Sequence, residues 1–148
     1  MTAATLVTAF TAARTDPWLR PHLLAAAMSL AREIAKADPR LARALYDATK
    51  EPFAVEAQRE LRLATAAEIA AVLPDPAVCV EALEKLEPPP ADREVLVLRA
   101  HCYRREAHPR AAAAEDDLVQ LIDREAPLGA SIPTPPAAGD TDPGGRAR

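Results

Sequence analysis

The chain has 148 residues and a mass of 15.8 kDa, 49% apolar and 27% charged, with a net charge of −4 and a pI near 5.4. That is enough chain for one sizeable core, and the charge balance excludes a strongly basic nucleic-acid binder. Residues 1–128 hold no Gly and the chain holds no Asn, which excludes Gly-rich phosphate loops, dinucleotide fingerprints and nucleophile elbows and disfavours tight β-hairpins.

Residues 2–15 read as a short helix with Leu6, Val7 and Phe10 on one side. This segment lacks a basic leader and is too short and too Thr-interrupted to span a membrane. No later segment is both long and uncharged, so the expectation is a soluble cytoplasmic protein with no membrane contact.

Proline sets the punctuation beyond that point. It lacks an N–H and suits the first helical turn, and a preceding Asp can cap the same turn. Three breaks read Asp-Pro, at Asp16-Pro17, Asp38-Pro39 and Asp75-Pro76, and others fall at Pro52, Pro88–Pro90, Pro109 and Pro127. The intervening Ala, Leu, Glu and Arg favour helix. Helices are expected over 17–37, 39–50, 53–73, 76–87, 92–107 and 109–125. The start of the first is delayed if Pro21 interrupts it.

Their apolar stripes follow helical spacing. Leu23, Ala27, Leu30 and Ile34 mark the first, and Leu41, Leu45 and Ala48 the second, with Ala42 and Tyr46 beside them. Leu61, Ala64, Ile69 and Leu73 mark the third, and Cys79, Leu83 and Leu86 the fourth. Leu96, Ala100 and Tyr103 mark the fifth, and Ala114, Leu118, Leu121 and Ile122 the last. Trp18, the single tryptophan, is expected to pack on the first helical hairpin, with an exposed binding anchor as the alternative. Cys79 and Cys102 read as separate small buried side chains in a reducing compartment. After Pro127 the chain is rich in Pro and Gly and poor in large apolar residues, so 128–148 is expected to be a disordered tail.

The breaks repeat. A long helix, a turn ending in Pro and a second helix recur about Pro39, Pro76 and Pro109. A small residue followed four later by a large one lies behind each: Ala42 and Tyr46, Cys79 and Leu83, Ala114 and Leu118. One helical hairpin per unit at such a period marks a helical repeat array. With Leu96, Ala100 and Tyr103 in one helix and Ala114, Leu118, Leu121 and Pro127 in the next, the third unit resembles the tetratricopeptide repeat family. The second echoes it with Leu63, Ala67 and Ala70. The departures are an Ala where the family favours Gly, and Arg99 where it commonly has Leu.

The resemblance implies an all-α fold, with about three hairpins over 17–127 stacked as a short right-handed α-solenoid and residues 1–16 capping one end. It further implies a concave groove lined by the first helix of each hairpin, where a partner polypeptide binds. Aligned on the family, the third unit offers Val97, His101, Arg104 and Arg105 to that groove. The second offers Ala64, Glu68 and Ala71, and the first Ser29, Glu33 and Lys36. Arg104 and Arg105 carry guanidinium forks suited to an acidic segment of the partner.

Catalytic or metal chemistry finds little support. His101 and Cys102 are adjacent and diverge by about 100° on a helix, so they share neither an ion nor a proton easily. Glu56 and Glu60 lack the companion histidines of a di-iron bundle, and Glu115–Asp117 lack calcium-loop spacing. The expectation is a non-catalytic adaptor, chaperone or regulatory subunit of bacterial origin, without cofactor or metal, binding another protein or peptide and open to self-association. Two other classes stay open: a helical subunit or detached domain of an enzyme complex, and a small-ligand or metal-binding helical bundle.

Overall fold

The computed structural model describes residues 2–18, 20–54 and 58–125. Seven α-helices appear among them: α1 (Ala3–Ala13), α2 (Pro21–Ala37), α3 (Pro39–Lys50), α4 (Arg59–Ala71), α5 (Pro76–Glu84), α6 (Arg93–Arg105) and α7 (Ala111–Glu125). The all-α class expected from the sequence is observed. The tail expected over 128–148 lies outside the described residues. No described helix is long and apolar enough to cross a membrane.

Side-chain caps explain most helix starts. Asp38 Oδ1 accepts from the Arg40 N–H at 3.0 Å and Asp75 Oδ1 from the Ala77 N–H at 3.1 Å, each with Pro in the first turn. Asp92 Oδ1 does the same for the Val95 N–H at 3.0 Å. Asp16-Pro17 does not start a helix. Pro21 stands four residues after Pro17, where its ring would clash with the Pro17 carbonyl inside a helix. Asp16 Oδ1 instead accepts from the Trp18 N–H at 2.9 Å, and α2 begins at Pro21.

The turn from α6 to α7 closes without glycine. The His108 N–H donates to the Tyr103 carbonyl at 2.9 Å and the Ala107 N–H to the Arg104 carbonyl at 3.2 Å. This paired closure needs a left-handed residue, usually Gly, at the first position beyond the cap. Ala107 takes it, with φ of 52°.

The helices pack mostly in sequence. α2 lies on α3, α4 on α5 and α6 on α7, while α2 also meets α4 and α4 meets α6; α1 covers α2 and α3. Close approach comes from Ala: Ala27, Ala31, Ala35, Ala42, Ala66, Ala67 and Ala70 are all buried. Larger side chains fill between them, with Leu6, Phe10, Met28, Leu45, Tyr46, Ile69, Leu83 and Tyr103 almost wholly enclosed. Phe53, in the connection before α4, stacks on Phe10 with centroids 5.9 Å apart.

Four sequence expectations need correction. The core face of α2 runs through Leu24, Met28, Ala31 and Ala35, and Leu23 is exposed. α2 is apolar on more than one side, so spacing alone could not choose the stripe that α3 and α4 would cover. Leu41, in the first turn of α3, is exposed; Ala42, Leu45, Tyr46, Ala48 and Thr49 face inward. Ile122 of α7 is exposed because, among the described residues, that helix packs chiefly on α6 and turns its other side outward. Trp18 does not pack on the first hairpin: 88% of its surface meets solvent.

The cysteines are also paired. Cys79 of α5 and Cys102 of α6 form a disulfide across 23 positions of sequence, both fully buried. The separate-thiol reading is overturned, and with it the argument from free thiols to a reducing compartment.

Candidate functional site

The meeting of α2 with α4 and of α4 with α6 leaves an open groove of about 680 Å³ along these three helices. Its apolar lining is Ala71 and Val72 from the end of α4, and Val97 and Leu98 from α6. Val97 is 47% exposed, an uncovered branched side chain in a depression otherwise bounded by charge. Lys36, Glu68, Arg93 and Glu94 form that charged boundary, with the His101 imidazole beside them. Glu94, Val97, Leu98 and His101 recur at steps of three and four, so one stripe of α6 supplies this wall.

Electrostatics fix part of the boundary. Glu68 is held between two cations of α2: Arg32 Nη1 lies 2.7 Å from its Oε1 and Lys36 Nζ 3.8 Å from its Oε2. The hydrogen bond from Arg32 to Glu68 raises the guanidinium pKa further against the opposing cost of burial. Lys36 also approaches Glu33, at 3.7 Å. Arg93, Glu94 and His101 make no ion pair among the described residues, so their side chains remain open to a ligand.

Of the residues expected to line a groove, Lys36, Glu68, Ala71, Val97 and His101 come together here. Ala64 is half-buried and packs on the small cluster of Leu63, Leu86 and Val95. Ser29 and Glu33 are exposed on α2 without lining the groove. Arg104 borders an adjoining depression of about 340 Å³ between α6 and α7, which shares Val97 and His101. There it donates Nε to Glu115 Oε1 at 2.8 Å and Nη2 to the same oxygen. Its fork is therefore engaged within the chain. Arg105 is exposed and lines neither depression.

Sequence reasoning missed Val72, Arg93, Glu94 and Leu98, although the stripe of α6 that carries Val97 and His101 also carries Glu94 and Leu98. It also missed the role of Arg99. That side chain is buried, donates to Glu87 and Asp117, and lies over the Tyr103 ring with its guanidinium carbon 5.2 Å from the centroid. The signal was present: an Arg on the inward stripe of a helix, between Leu96 and Tyr103, demands buried acceptors.

The arrangement suits recognition. A branched apolar surface beside unpaired Arg93, Glu94 and His101 can bury an apolar ridge and orient charges of either sign. His101 and Cys102 diverge as expected, the imidazole exposed and the sulfur buried in the disulfide. His108 Nε2 lies 3.4 Å from Glu84 Oε1, and its ring centroid 4.2 Å from that of Tyr103. Among the described residues, no group of three or more His, Cys, Asp or Glu side chains is placed to hold a metal ion. Comparison of the chain with protein-family models, with curated proteins and with solved structures finds no match.

Proposed function

We propose that the chain is a non-catalytic protein–protein interaction module, an adaptor, chaperone or regulatory subunit, that binds a segment of a partner polypeptide along α2, α4 and α6. In this reading the hairpins α2–α3, α4–α5 and α6–α7 are three tetratricopeptide-like repeats stacked as a short right-handed solenoid. The groove bordered by Lys36, Glu68, Val97 and His101 is the observation that carries it, since the first helix of every hairpin contributes to one open surface. The bound segment places an apolar side chain on Val97 and Leu98, and an acidic group is drawn to Arg93 and His101.

Affinity capture from lysate of the source cells tests this, with the full chain beside Val97→Asp and Arg93→Glu. Both positions are exposed, so circular dichroism should be unaltered. A polypeptide retained in stoichiometric amount by the wild type and lost from both variants supports groove recognition. Retention by all three places the contact elsewhere and removes the groove from the reading.

A further inference from the structure

Two exposed apolar surfaces of opposite charge stand at opposite ends of the helix array. Contacts run from α1 and α2 through α4 and α6 to α7. At the first end, Trp18, in the connection before α2, has 88% of its surface in solvent, and Leu23, in the first turn of α2, has 56%. The described residues on either side are held by hydrogen bonds. Asp16 accepts from the Trp18 N–H, the Arg20 carbonyl accepts from the Leu23 N–H at 3.0 Å, and Gln58 Nε2 donates to the Pro21 carbonyl at 2.9 Å. Arg14, Arg20 and His22 neighbour Trp18 in sequence, and Asp16, turned onto the backbone, is the one acid in residues 14–23. Arg14 Nη2 donates to the Asp47 carbonyl at 3.2 Å, whereas Arg20 makes no side-chain hydrogen bond or ion pair among the described residues.

At the far end, α7 buries only Ala114 fully. Val119 is 54% exposed and Ile122 42%. Asp116, Val119 and Asp123 follow at steps of three and four, Ile122 lies three beyond Val119, and all four are exposed on the outward side of the helix. Neither aspartate has an ion pair among the described residues.

We infer that the Trp18 surface of one copy docks on the α7 surface of a second copy, head to tail. The indole and Leu23 cover Val119 and Ile122, and Arg20 answers Asp116 and Asp123. Charge favours a second copy over the chain's own C-terminal segment. Residues 126–148 carry two Asp and two Arg and no aromatic residue, so they bring neither a net charge nor an anchor to the acidic face. A contact between unlike surfaces leaves one head and one tail free, and so extends into rings or open chains. A single Trp buries only about 150–250 Å², so the association is weak and depends on concentration.

Sedimentation velocity of the full chain at low salt tests the inference. The weight-average mass of the wild type is expected to rise with concentration, and less so in high salt. Trp18→Ala is expected to weaken association at least about tenfold, as are Val119→Asp/Ile122→Asp and the charge reversal Asp116→Lys/Asp123→Lys, each with native circular dichroism. Mixing Trp18→Ala with Val119→Asp/Ile122→Asp should restore a dimer that grows no further, because one intact head then meets one intact tail. A wild type that stays monomeric, full association in Trp18→Ala, or no dimer in the mixture overturns the inference. So does a monomer that associates only after Leu128→Asp/Ile132→Asp, which would assign the α7 face to the C-terminal segment.

Discussion

Arg99 gives two donors to a single oxygen of Glu87: its Nε lies 3.2 Å and its Nη2 3.0 Å from Oε1. The Tyr103 hydroxyl reaches the same oxygen at 3.2 Å, and Arg99 Nη1 extends to Asp117 Oδ2 at 2.7 Å. One guanidinium thus joins α6 to α7 and to the connection that follows α5. The arrangement predicts a large cost for its loss. Arg99→Ala should destabilise the fold by about 3 kcal/mol, the low end for breaking a buried pair because both carboxylates reach solvent. Arg99→Lys should recover only part of this, since an ammonium cannot reproduce the fork. Urea unfolding followed by circular dichroism checks both.

Tyr46 predicts an alkaline transition. Burial, with Glu81 and Asp47 adding negative charge nearby, pushes its phenol up to about 12. The native state thus resists an ionisation that the unfolded chain undergoes near the ordinary tyrosine value of about 10. Stability from this group is full below pH 10 or so and declines as the pH rises through the native value. The hydroxyl has no hydrogen-bond partner among the described residues. Tyr46→Phe should therefore flatten the alkaline limb and raise stability near neutrality by about 1 kcal/mol. Some slope remains from Tyr103, which burial also raises. Urea midpoints across the alkaline range measure the difference.

The disulfide predicts a redox-dependent stability. Closing a loop of this length should contribute about 3 kcal/mol through the unfolded chain. Reduction, or Cys79→Ala/Cys102→Ala, should lower the urea midpoint accordingly. Both sulfurs are fully buried. A thiol reagent should thus find nothing in the oxidised protein, folded or in denaturant, and two thiols after reduction in denaturant. Two reactive thiols in the unreduced, denatured protein would contradict the pairing.

Ala107 predicts a stabilising substitution. A left-handed conformation costs an L-residue with a Cβ about 1 kcal/mol, and this one lies on an exposed turn with room for change. Ala107→Gly should raise stability by somewhat less than that, because Gly also loosens the unfolded chain. A thermal melt of the two proteins decides it.

Much of the fold was legible because Pro and Asp act locally. Asp38-Pro39 and Asp75-Pro76 mark α3 and α5 to the residue, since a cap and a missing N–H need no tertiary partner. Facing was less legible. Leu23 and Leu24 are equal in hydropathy, and only the placement of α3 and α4 decides which is buried. Half of the groove could be read from the spacing on α6, but Val72 and Arg93 lie near helix ends whose direction depends on how hairpins stack. The engagement of Arg104 was not legible, because its partner Glu115 lies across a turn whose closure rests on a left-handed Ala. The disulfide was hidden for a similar reason: cysteines 23 positions apart meet only once α5 has folded against α6.

The sparse burial of α7 also sets an order of opening. Amides of a helix with one fully enclosed side chain exchange with solvent through small excursions, so deuterium should enter α7 well before α4. Such fraying from the C-terminal side would run into α6, but there the covalent link to α5 acts as a stop. Peeling beyond that point must lift two helices together, so exchange should step from a fast outer helix to a slow, cooperative interior rather than grade smoothly along the chain.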